Sequence, residues 1–576
     1  MRGGVVRVGD PRKSFPRRFV PPDAEMGRWE EIERVGQILL ATQPDSVEAL
    51  ERWLEDVSEL MACVTEERTR RYIAMTSQTD DPEREQAYLT FVREVEPKVK
   101  LLWHRLEEVY VQNPHRRSLP ERYRLLDRKM ENRVALFREE NIPLEIQEAE
   151  LKQRYQKITG GMTVIYRGEE RTLQQIAKVL EDPDRSTRQE AWELITERWL
   201  QEREALEAIF EDLRKVRQQI AENAGFLTYM EYVFRRYERF DYTPEDCLRF
   251  HAVVENHVVP RVERLLRERQ ALLGVEALRP WDLDVDPLGR PPLRPFRQVR
   301  ELLDSAEEVF RQIDPEFAAY FRFMREQGLL DLETRKGKAP GGYQSELSER
   351  RWPFIFMNAA GLDRDVRTLL HEAGHAMHTF LTREEPLLPY RHAPLEFAEV
   401  ASMGMELLAA PYFHVFYPDP EDARRAYRYR LEEILLLLPV VAMVDAFQHW
   451  MYTHPDHTPE ERKRAWGEIH SRFWPVVDWT GYEEARNFWW HRWRHIFLYP
   501  FYFIEYGIAQ LGALQVWLRA REDYRDAVSR YREAFALGGR CTLPELFAAA
   551  GGRFSFEEEV VVPLLDALSA ELETFR

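Results

Sequence analysis

The amino-acid sequence predicts a mainly α-helical protein with a small β-sheet. Along most of the chain, apolar residues recur three and four positions apart among charged ones, which is the period of an amphipathic helix. Only a few short segments show the alternation or the β-branched residues that are typical of strands. The chain has 576 residues, more than one hydrophobic core usually organises, so we expect two lobes.

The first part of the chain, residues 26–157, is predicted to form consecutive helices because this spacing persists through it. The segment GGMTVIYRGEERT at 160–172 interrupts the pattern, and its β-branched stretch followed by Arg-Gly predicts a small hairpin. Ser186, with Gln189 three positions later, has the signature of a capping box. This pair predicts the start of the next helix.

The middle of the chain combines loops with one strand. A Pro-rich segment at 278–296 and a Gly-containing segment at 335–344 predict ordered loops. The stretch PFIFMN at 353–358 alternates its side chains and is short enough for a strand. It comes shortly before a histidine-rich helix, so we expect it to be an edge strand along a cleft. The alternative is a core strand that is covered on both edges.

The composition restricts the class of function. A net charge of −18, from 82 basic and 100 acidic residues, argues against nucleic-acid binding. Only three cysteines occur, Cys63, Cys247 and Cys541, in no C-x-x-C pair, which excludes a thiolate zinc site and a disulfide scaffold and fits a reducing compartment. The N-terminus lacks the apolar stretch of a secretory signal, and the apolar runs are too short to span a bilayer. We expect a cytoplasmic protein with no membrane partner.

The segment LLHEAGHAMHTF, residues 369–380, is the strongest functional signal. His371 and His375 are four positions apart, so on a helix they present their rings to one point, as a tetrahedral zinc ion requires of two ligands. Glu372 is rotated about 100° from His371, which places a carboxylate beside the metal as a catalytic base. Gly374 costs a helix about 1 kcal/mol relative to Ala, so we expect it to permit close packing.

The helix that carries this segment is predicted to begin at Asp363 or Asp365 and to be held in the core by its apolar flank. His378 shares the face of the two predicted ligands. We interpret it as a residue that lines the cleft or packs beside it.

A third protein ligand is expected, since a catalytic zinc site leaves its fourth position for water. The helical stretch at 395–410 carries Glu396, Glu399 and Glu406. Glu399 and Glu406 are seven positions apart and share a face, so one can bind the metal while the other orients a ligand histidine. Spacing alone favours Glu399 over Glu396 as the ligand and leaves both open.

The motifs HEAGHAMH, FAEVASMGMELL and KAPGGYQ…PFIFMN resemble the thimet-oligopeptidase family of zinc metallopeptidases, particularly its oligoendopeptidase F branch. The resemblance extends to RPWDLD, to RHIFLYPFYFIEYGIAQ and to ALGGRCTLPELFAAAGGRF. In that family the third ligand is the glutamate that opens an E-x-x-S segment on the following helix, which here is Glu399 with Ser402. The family's second acidic residue, seven positions on, corresponds to Glu406.

The resemblance implies a two-lobed helical metallopeptidase with an HExxH helix of the zincin type and a small β-sheet lining a deep cleft. It implies an N-terminal helical lobe over residues 1–200 that covers the cleft and a catalytic domain over 201–576. The family also places a histidine, and tyrosines further along, over the substrate carbonyl. His495 and Tyr506 match best, with Tyr502 as the alternative tyrosine.

The function that follows is zinc-dependent hydrolysis of internal peptide bonds in short unstructured oligopeptides, with one zinc ion per chain. Expected substrate contacts are Phe356, Asn358 and His378. A zinc carboxypeptidase of similar helical fold and a non-catalytic peptide-binding helical protein are the alternatives. An intact Glu372 argues against the second, because a protein without turnover does not need that base. The sequence leaves the oligomeric state open.

Overall fold

The computed structural model describes residues 10–575, and most of them form α-helices. The helices of the first half of the chain are α1 (Trp29–Ala41), α2 (Val47–Ser77), α3 (Pro82–Thr90), α4 (Glu96–Gln112), α5 (Arg124–Leu136), α6 (Asn141–Gly160), α7 (Leu173–Ala177), α8 (Arg185–Gln201), α9 (Arg203–Asn223), α10 (Tyr229–Arg236), α11 (Pro244–Val253) and α12 (Val259–Leu273). Those of the second half are α13 (Val299–Ile313), α14 (Pro315–Glu326), α15 (Asp363–Thr382), α16 (Leu388–Arg391), α17 (Leu395–Leu408), α18 (Pro420–Thr453), α19 (Pro459–Phe473), α20 (Glu483–Asn487), α21 (Arg494–Leu498), α22 (Ile504–Glu522), α23 (Tyr524–Ala536), α24 (Leu543–Ala549) and α25 (Glu558–Glu573).

Two small sheets accompany the helices. The predicted hairpin at 160–172 is confirmed as two antiparallel strands. A second sheet has three strands in the order β3-β5-β4, with β3 parallel and β4 antiparallel to β5. The strands are β1 (Thr163–Tyr166), β2 (Glu169–Thr172), β3 (Leu330–Glu333), β4 (Tyr343–Leu347) and β5 (Trp352–Ala359). The fold class, mainly α with small sheets, is as predicted.

The stretch PFIFMN is a strand, as predicted, but it is not an edge strand. It lies in β5, which pairs with β3 on one side and β4 on the other. Residues 353–357 are all buried, so both faces and both edges of this strand are covered. The edge prediction is therefore wrong and the core-strand alternative is right. Strand β4 is mostly half-exposed and pairs only with β5 among the described residues.

The predicted capping box at Ser186 is also wrong. The N-cap of helix α8 lies two residues earlier, at Asp184, whose carboxylate accepts a hydrogen bond from the backbone N–H of Thr187 at 2.8 Å. The Ser186 hydroxyl itself donates to Asp184. An ionised carboxylate is the stronger acceptor for the helix N-terminus, so Asp184 takes the capping position.

The chain forms two compact units, each assembled from three stretches of sequence. The first contains residues 10–135, 293–429 and 508–554, and the second contains residues 136–292, 430–507 and 555–575. The predicted domains, residues 1–200 and 201–576, are instead two continuous segments of the chain. This division stays a prediction. Helices α15 and α17 belong to the first unit, and α11 and most of α18 belong to the second.

The core of the first unit includes an N-terminal helical cluster. Most of its members are apolar side chains of α1, α2, α4 and α5, and Leu387 and Tyr390 pack with them. In the second unit a smaller cluster joins the hairpin to its helices. It consists of Val164, Ile176, Ala191 and Ile195. These clusters follow the three-and-four apolar spacing read from the sequence.

Helix α18 is the longest helix described. Among residues 10–575 it alone is long and apolar enough to cross a membrane by length and composition, and 72% of its most apolar stretch is buried inside the protein. A buried core helix passes the same test, because its apolar residues face other helices.

Candidate metal centre

Helix α15 carries the HEAGH segment and is held firmly at its start. The carboxylate of Asp365 accepts hydrogen bonds from the backbone N–H groups of Ala360 and Leu362, at 2.7 and 2.9 Å. Asp363 is the first helical residue and accepts a hydrogen bond from the hydroxyl of Tyr417 at 2.5 Å. Both predicted start residues therefore act at this helix end, where carboxylates also interact favourably with the helix dipole.

Gly374 lets α15 and α17 approach closely, as the sequence predicts. A Cβ atom at this position would lie 2.5 Å from the carbonyl oxygen of Ala401 and 2.6 Å from Cα of Ser402. No side chain larger than hydrogen fits there unless one helix moves. The glycine thus sets the spacing between the two helices that carry the predicted ligands.

The predicted ligand atoms converge. His371, His375 and Glu399 each place one donor atom within 4.8 Å of the others. Oε2 of Glu399 lies 3.3 Å from Nε2 of His371 and 3.6 Å from Nε2 of His375. Ligands bound to zinc at about 2.0–2.1 Å in a tetrahedron lie about 3.3–3.4 Å apart. The two imidazoles and the carboxylate therefore have the chemistry and the separations that a zinc ion needs.

Carboxylates orient the donors of this centre. Nδ1 of His371 donates to Oε1 of Glu406 at 2.9 Å, which leaves Nε2 of the same ring as the lone-pair donor. The hydroxyl of Ser402 donates to Oε2 of Glu399 at 3.0 Å. Burial opposes it, but the hydrogen bonds with Glu399 and Glu406 raise the pKa of His371 to about 10. The negative charge of the two carboxylates thus favours a positive charge at Nε2 of His371, either a proton or a metal ion that replaces the proton.

Glu372 lies beside the donors without joining them. Its side chain is buried, and burial raises the pKa of this carboxyl to about 7, with the charge of Glu399 adding to the shift. The backbone N–H of Gln344, in β4, donates a hydrogen bond to it. A carboxyl whose pKa lies near neutrality can both accept and release a proton there, as a general base requires.

The expected substrate contacts are only partly compatible with the structure. Phe356 is fully buried in the central strand, so its predicted role as a substrate contact is wrong. His378 is buried as well, with Nδ1 bonded to the carbonyl oxygen of Phe535 and Nε2 accepting from the N–H of Ala393. Its predicted role in substrate binding is wrong too, because both ring nitrogens are occupied by hydrogen bonds to the backbone. The alternative prediction, a packing residue, remains.

Asn358 is half-buried and orders the loop that connects β3 to β4. Its amide donates to the carbonyl oxygens of Ala339 and Gly341, at 2.8 and 3.0 Å. This contact explains how the 335–344 loop is held against β5. A substrate contact of Asn358 stays a prediction.

The predicted histidine and tyrosines lie in the second unit. His495 and Tyr506 are half-buried, and the Tyr506 hydroxyl is 3.5 Å from Nε2 of His495. The ring of Tyr502 stacks on His495 with a centroid separation of 5.9 Å. Burial lowers the pKa of His495 to about 4, so the ring is neutral near pH 7. The structure brings these three residues together, and their roles stay predictions.

Three contacts near the predicted ligands were not predicted from the sequence. The Ser402 hydroxyl had a signal in the E-x-x-S spacing. The Gln344 N–H had none, because it depends on where β4 lies. Tyr531, whose hydroxyl donates to the carbonyl oxygen of Ala401 at 2.6 Å, supports α17 from α23 and looks in the sequence like any core tyrosine.

Comparisons with known proteins agree with the resemblance seen in the motifs. Residues 178–562 match Peptidase family M3. Oligopeptidase PepF of Bacillus subtilis (strain 168) is 23% identical over 49% of this chain and 42% of its own length. An Oligoendopeptidase F homolog of Lactococcus lactis subsp. lactis (strain IL1403) is 24% identical over 51% of this chain and 48% of its own length. The chain thus spans just under half of the curated relatives it matches.

A solved structure, PZ peptidase A with inhibitor 2, superimposes with a TM-score of 0.88 at 31% identity, covering 97% of this chain and 99% of that one. The family match covers more than half of the 576 residues. The resemblance seen in the HEAGH and E-x-x-S motifs is therefore confirmed. This chain belongs to peptidase family M3, in its oligoendopeptidase F branch.

Proposed function

We propose that this protein is a zinc-dependent endopeptidase that hydrolyses internal bonds of short, unstructured oligopeptides. The observation that supports the proposal is the convergence of His371, His375 and Glu399, whose donor atoms lie within 4.8 Å of one another. Membership of a peptidase family makes hydrolysis the natural use of such a centre. One zinc ion per chain would be held by these three side chains.

The bound ion would polarise the scissile carbonyl and lower the pKa of the attacking water. The carboxylate of Glu372 accepts the proton of that water and later passes it to the leaving amine nitrogen. Glu406 keeps the Nδ1 proton on His371, so that Nε2 stays available. Ser402 holds the Glu399 carboxylate in its position.

The proposal extends to His495 and Tyr506. The Tyr506 hydroxyl would donate to the carbonyl oxygen as negative charge develops on it, which is the role of an oxyanion donor. His495 would bind the substrate beside it. Their mutual distance of 3.5 Å supports a shared role, and Tyr502 is the alternative donor.

The substrate class rests on relatives. The names Oligopeptidase PepF and Oligoendopeptidase F homolog describe proteins that act on oligopeptides, and the matched part is about half of each. We extend that substrate class, and a cytoplasmic location, to this chain as part of the proposal. The three unpaired cysteines fit a reducing compartment.

The test is mass spectrometry of a mixed peptide library incubated with the full chain, with and without a chelator. We expect internal cuts that the chelator abolishes and that zinc restores. The same sequences placed inside a folded domain should survive. Trimming of single C-terminal residues would favour the carboxypeptidase instead, and an unchanged library would favour a non-catalytic peptide-binding protein.

Glu372→Gln is the matched control for this experiment. It removes the base and retains the shape and all three predicted ligands. The variant should bind zinc as the wild type does and lose nearly all turnover, measured as metal content and cleavage rate of one good peptide. Full activity of this variant would contradict the proposed mechanism.

A further inference from the structure

A second group of metal-binding side chains lies in the second unit, apart from the centre described above. Cys247, Asp445 and His449 each place one donor atom within 4.8 Å of the others, and all three are buried. Cys247 comes from α11, whereas Asp445 and His449 come from α18. His251 follows Cys247 by four positions, as His449 follows Asp445. Each helix therefore directs two such residues to one face.

Two polar atoms of this group have no hydrogen-bond partner among residues 10–575. Oδ2 of Asp445 is bonded to Nε2 of His251 at 2.8 Å, but Oδ1 of Asp445 has no partner. Nε2 of His449 lies 3.3 Å from Oδ2 of Asp445 and also makes no hydrogen bond. Buried polar atoms are almost always paired, so two orphans in one cluster indicate a missing partner.

The charge of the cluster favours a cation as that partner. Asp445 is the acidic member of the cluster, and its side chain is fully buried. The guanidinium of Arg239 bonds to the carboxylate of Glu505 at 2.8 Å, so its charge is matched there. A buried carboxylate is costly unless it is paired or bound to a metal ion, so the unpartnered oxygen of Asp445 favours a cation.

Aromatic rings pack against both histidines of the cluster, and such apolar contacts strengthen charge interactions beside them. Phe234 and Phe501 place their rings edge-on against His449, with centroids 6.4 and 5.5 Å away. Phe250 lies beside His251. A thiolate, an imidazole and a carboxylate are ligands that zinc accepts, and similar divalent transition metals bind the same donors.

We propose that Cys247, Asp445 and His449 bind a divalent transition-metal ion, zinc first, and that His251 orients Asp445 by holding its other carboxylate oxygen. The thiol of Cys247 loses its proton to solvent when the ion binds. Ligating carboxylates are commonly fixed by such a hydrogen bond. The ion ties α11 to α18 and has a structural role.

The wide separation of the three cysteines in the sequence excludes a zinc site that is built on paired thiolates. A mixed site needs only one thiolate, and its other donors lie on a distant part of the chain, since His251 and Asp445 are 194 positions apart. Only the packing of α11 on α18 brings them together. The exclusion therefore holds for sites with paired thiolates and not for this one.

The first test counts metal ions in the full chain by mass spectrometry after dialysis against a zinc buffer. We use Glu399→Ala as the background, so that the proposed catalytic zinc does not contribute. This variant should retain one zinc ion per chain, and adding Cys247→Ser should remove it. A background chain without zinc, or one whose zinc survives Cys247→Ser, would overturn the proposal.

The second test uses Co²⁺ as a probe of sulfur ligation. A cobalt–thiolate bond gives a charge-transfer absorption in the near ultraviolet, and the His371–His375–Glu399 set contains no sulfur. The cobalt-loaded Glu399→Ala chain should show this band. Cys247→Ser should abolish it, whereas Cys541→Ser, a cysteine outside the cluster, should leave it unchanged.

Asp445→Asn has nearly the shape of Asp445 and is the second variant, in case Cys247→Ser does not fold. It should weaken cobalt binding at least tenfold in a titration that follows the band. Absence of the band in the loaded background chain would overturn the proposal whatever the variants do. So would a band that persists without Cys247.

Discussion

At the residue scale, the choice between Glu396 and Glu399 depends on one helical turn of α17. Glu399 places Oε2 3.3 Å from Nε2 of His371 and accepts the Ser402 hydroxyl. Glu396 is buried and does not belong to the converging donor group. The spacing in the sequence left both residues open, and the resemblance favoured the one that the structure places beside the histidines.

Glu399→Ala should therefore weaken zinc binding, whereas Glu396→Ala should not. Loss of an orienting partner costs about 10–100-fold in metal affinity, so loss of a direct ligand should cost more than about 100-fold. Titration of each purified variant with a competing chelator gives the two affinities. The reverse order would reassign the ligand to Glu396.

Tyr506→Phe tests the proposed oxyanion donor. The variant keeps the ring and removes only the hydroxyl that lies 3.5 Å from His495. We expect kcat to fall about 100-fold or more, the usual cost of one such donor, with KM and zinc content nearly unchanged. The control is Tyr499→Phe, at a tyrosine that is 48% exposed, which should stay near wild type. If Tyr502→Phe carries the loss instead, the donor is Tyr502.

At the scale of elements, the centre depends on how closely α15 and α17 pack. The contact is made at Gly374, where the backbone of Ala401 and Ser402 occupies the space of a side chain. Interiors are packed too tightly to absorb an added methyl group without movement. Any separation of the helices moves Glu399 away from the two histidines.

Gly374→Ala should consequently lower both stability and zinc affinity. Overpacking costs about 1–3 kcal/mol, which exceeds the gain of about 1 kcal/mol from replacing glycine in a helix. Thermal unfolding with and without zinc measures both effects. Gly160→Ala is the matched control, because a Cβ at the end of α6 meets nothing within 4 Å. Equal stability of the two variants would show that the close approach is not required.

The strand order shows what periodicity cannot predict. The sequence identified β5 correctly as a strand, since its apolar pattern and length are local properties. Its position in the centre of the sheet depends on β3 and β4, which pair with it on its two sides. These two partners exclude pairing of a substrate with β5. The half-exposed strand β4 is an edge of the sheet, and its Gln344 N–H contacts Glu372 at the candidate metal centre.

At the scale of the whole molecule, buried histidines make stability depend on pH. His470 lies in the second unit between the rings of Trp466 and Trp479, and its Nδ1 has no hydrogen-bond partner among the described residues. Burial, with a smaller effect of Arg486, lowers the pKa of His470 to about 3. The unfolded chain binds this proton near pH 6.5. The contribution of the neutral His470 ring to the free energy of unfolding is therefore fully present above that pH. It is lost as the pH falls from about 6.5 toward 3.

Replacement of His470 by Asn should weaken this dependence. Between pH 7 and 5, in the presence of a chelator so that metal loss does not contribute, the unfolding temperature of the wild type should fall more than that of the variant. The difference corresponds to about one proton taken up on unfolding. Parallel curves for the two proteins would contradict the assignment of His470 as a buried neutral histidine.

The family resemblance favoured Glu399. The sequence by itself determined the helical class, the hairpin and the HEAGH helix. These depend on the spacing of residues within one element, which the helix and strand periods translate directly into faces. Only the tertiary structure decided the place of β5, the burial of Phe356 and His378, and the approach of α17 to Gly374. It alone brought Cys247 of α11 to Asp445 and His449 of α18. Each of these depends on contacts between residues far apart in the chain, and no local period encodes which distant elements will pack together.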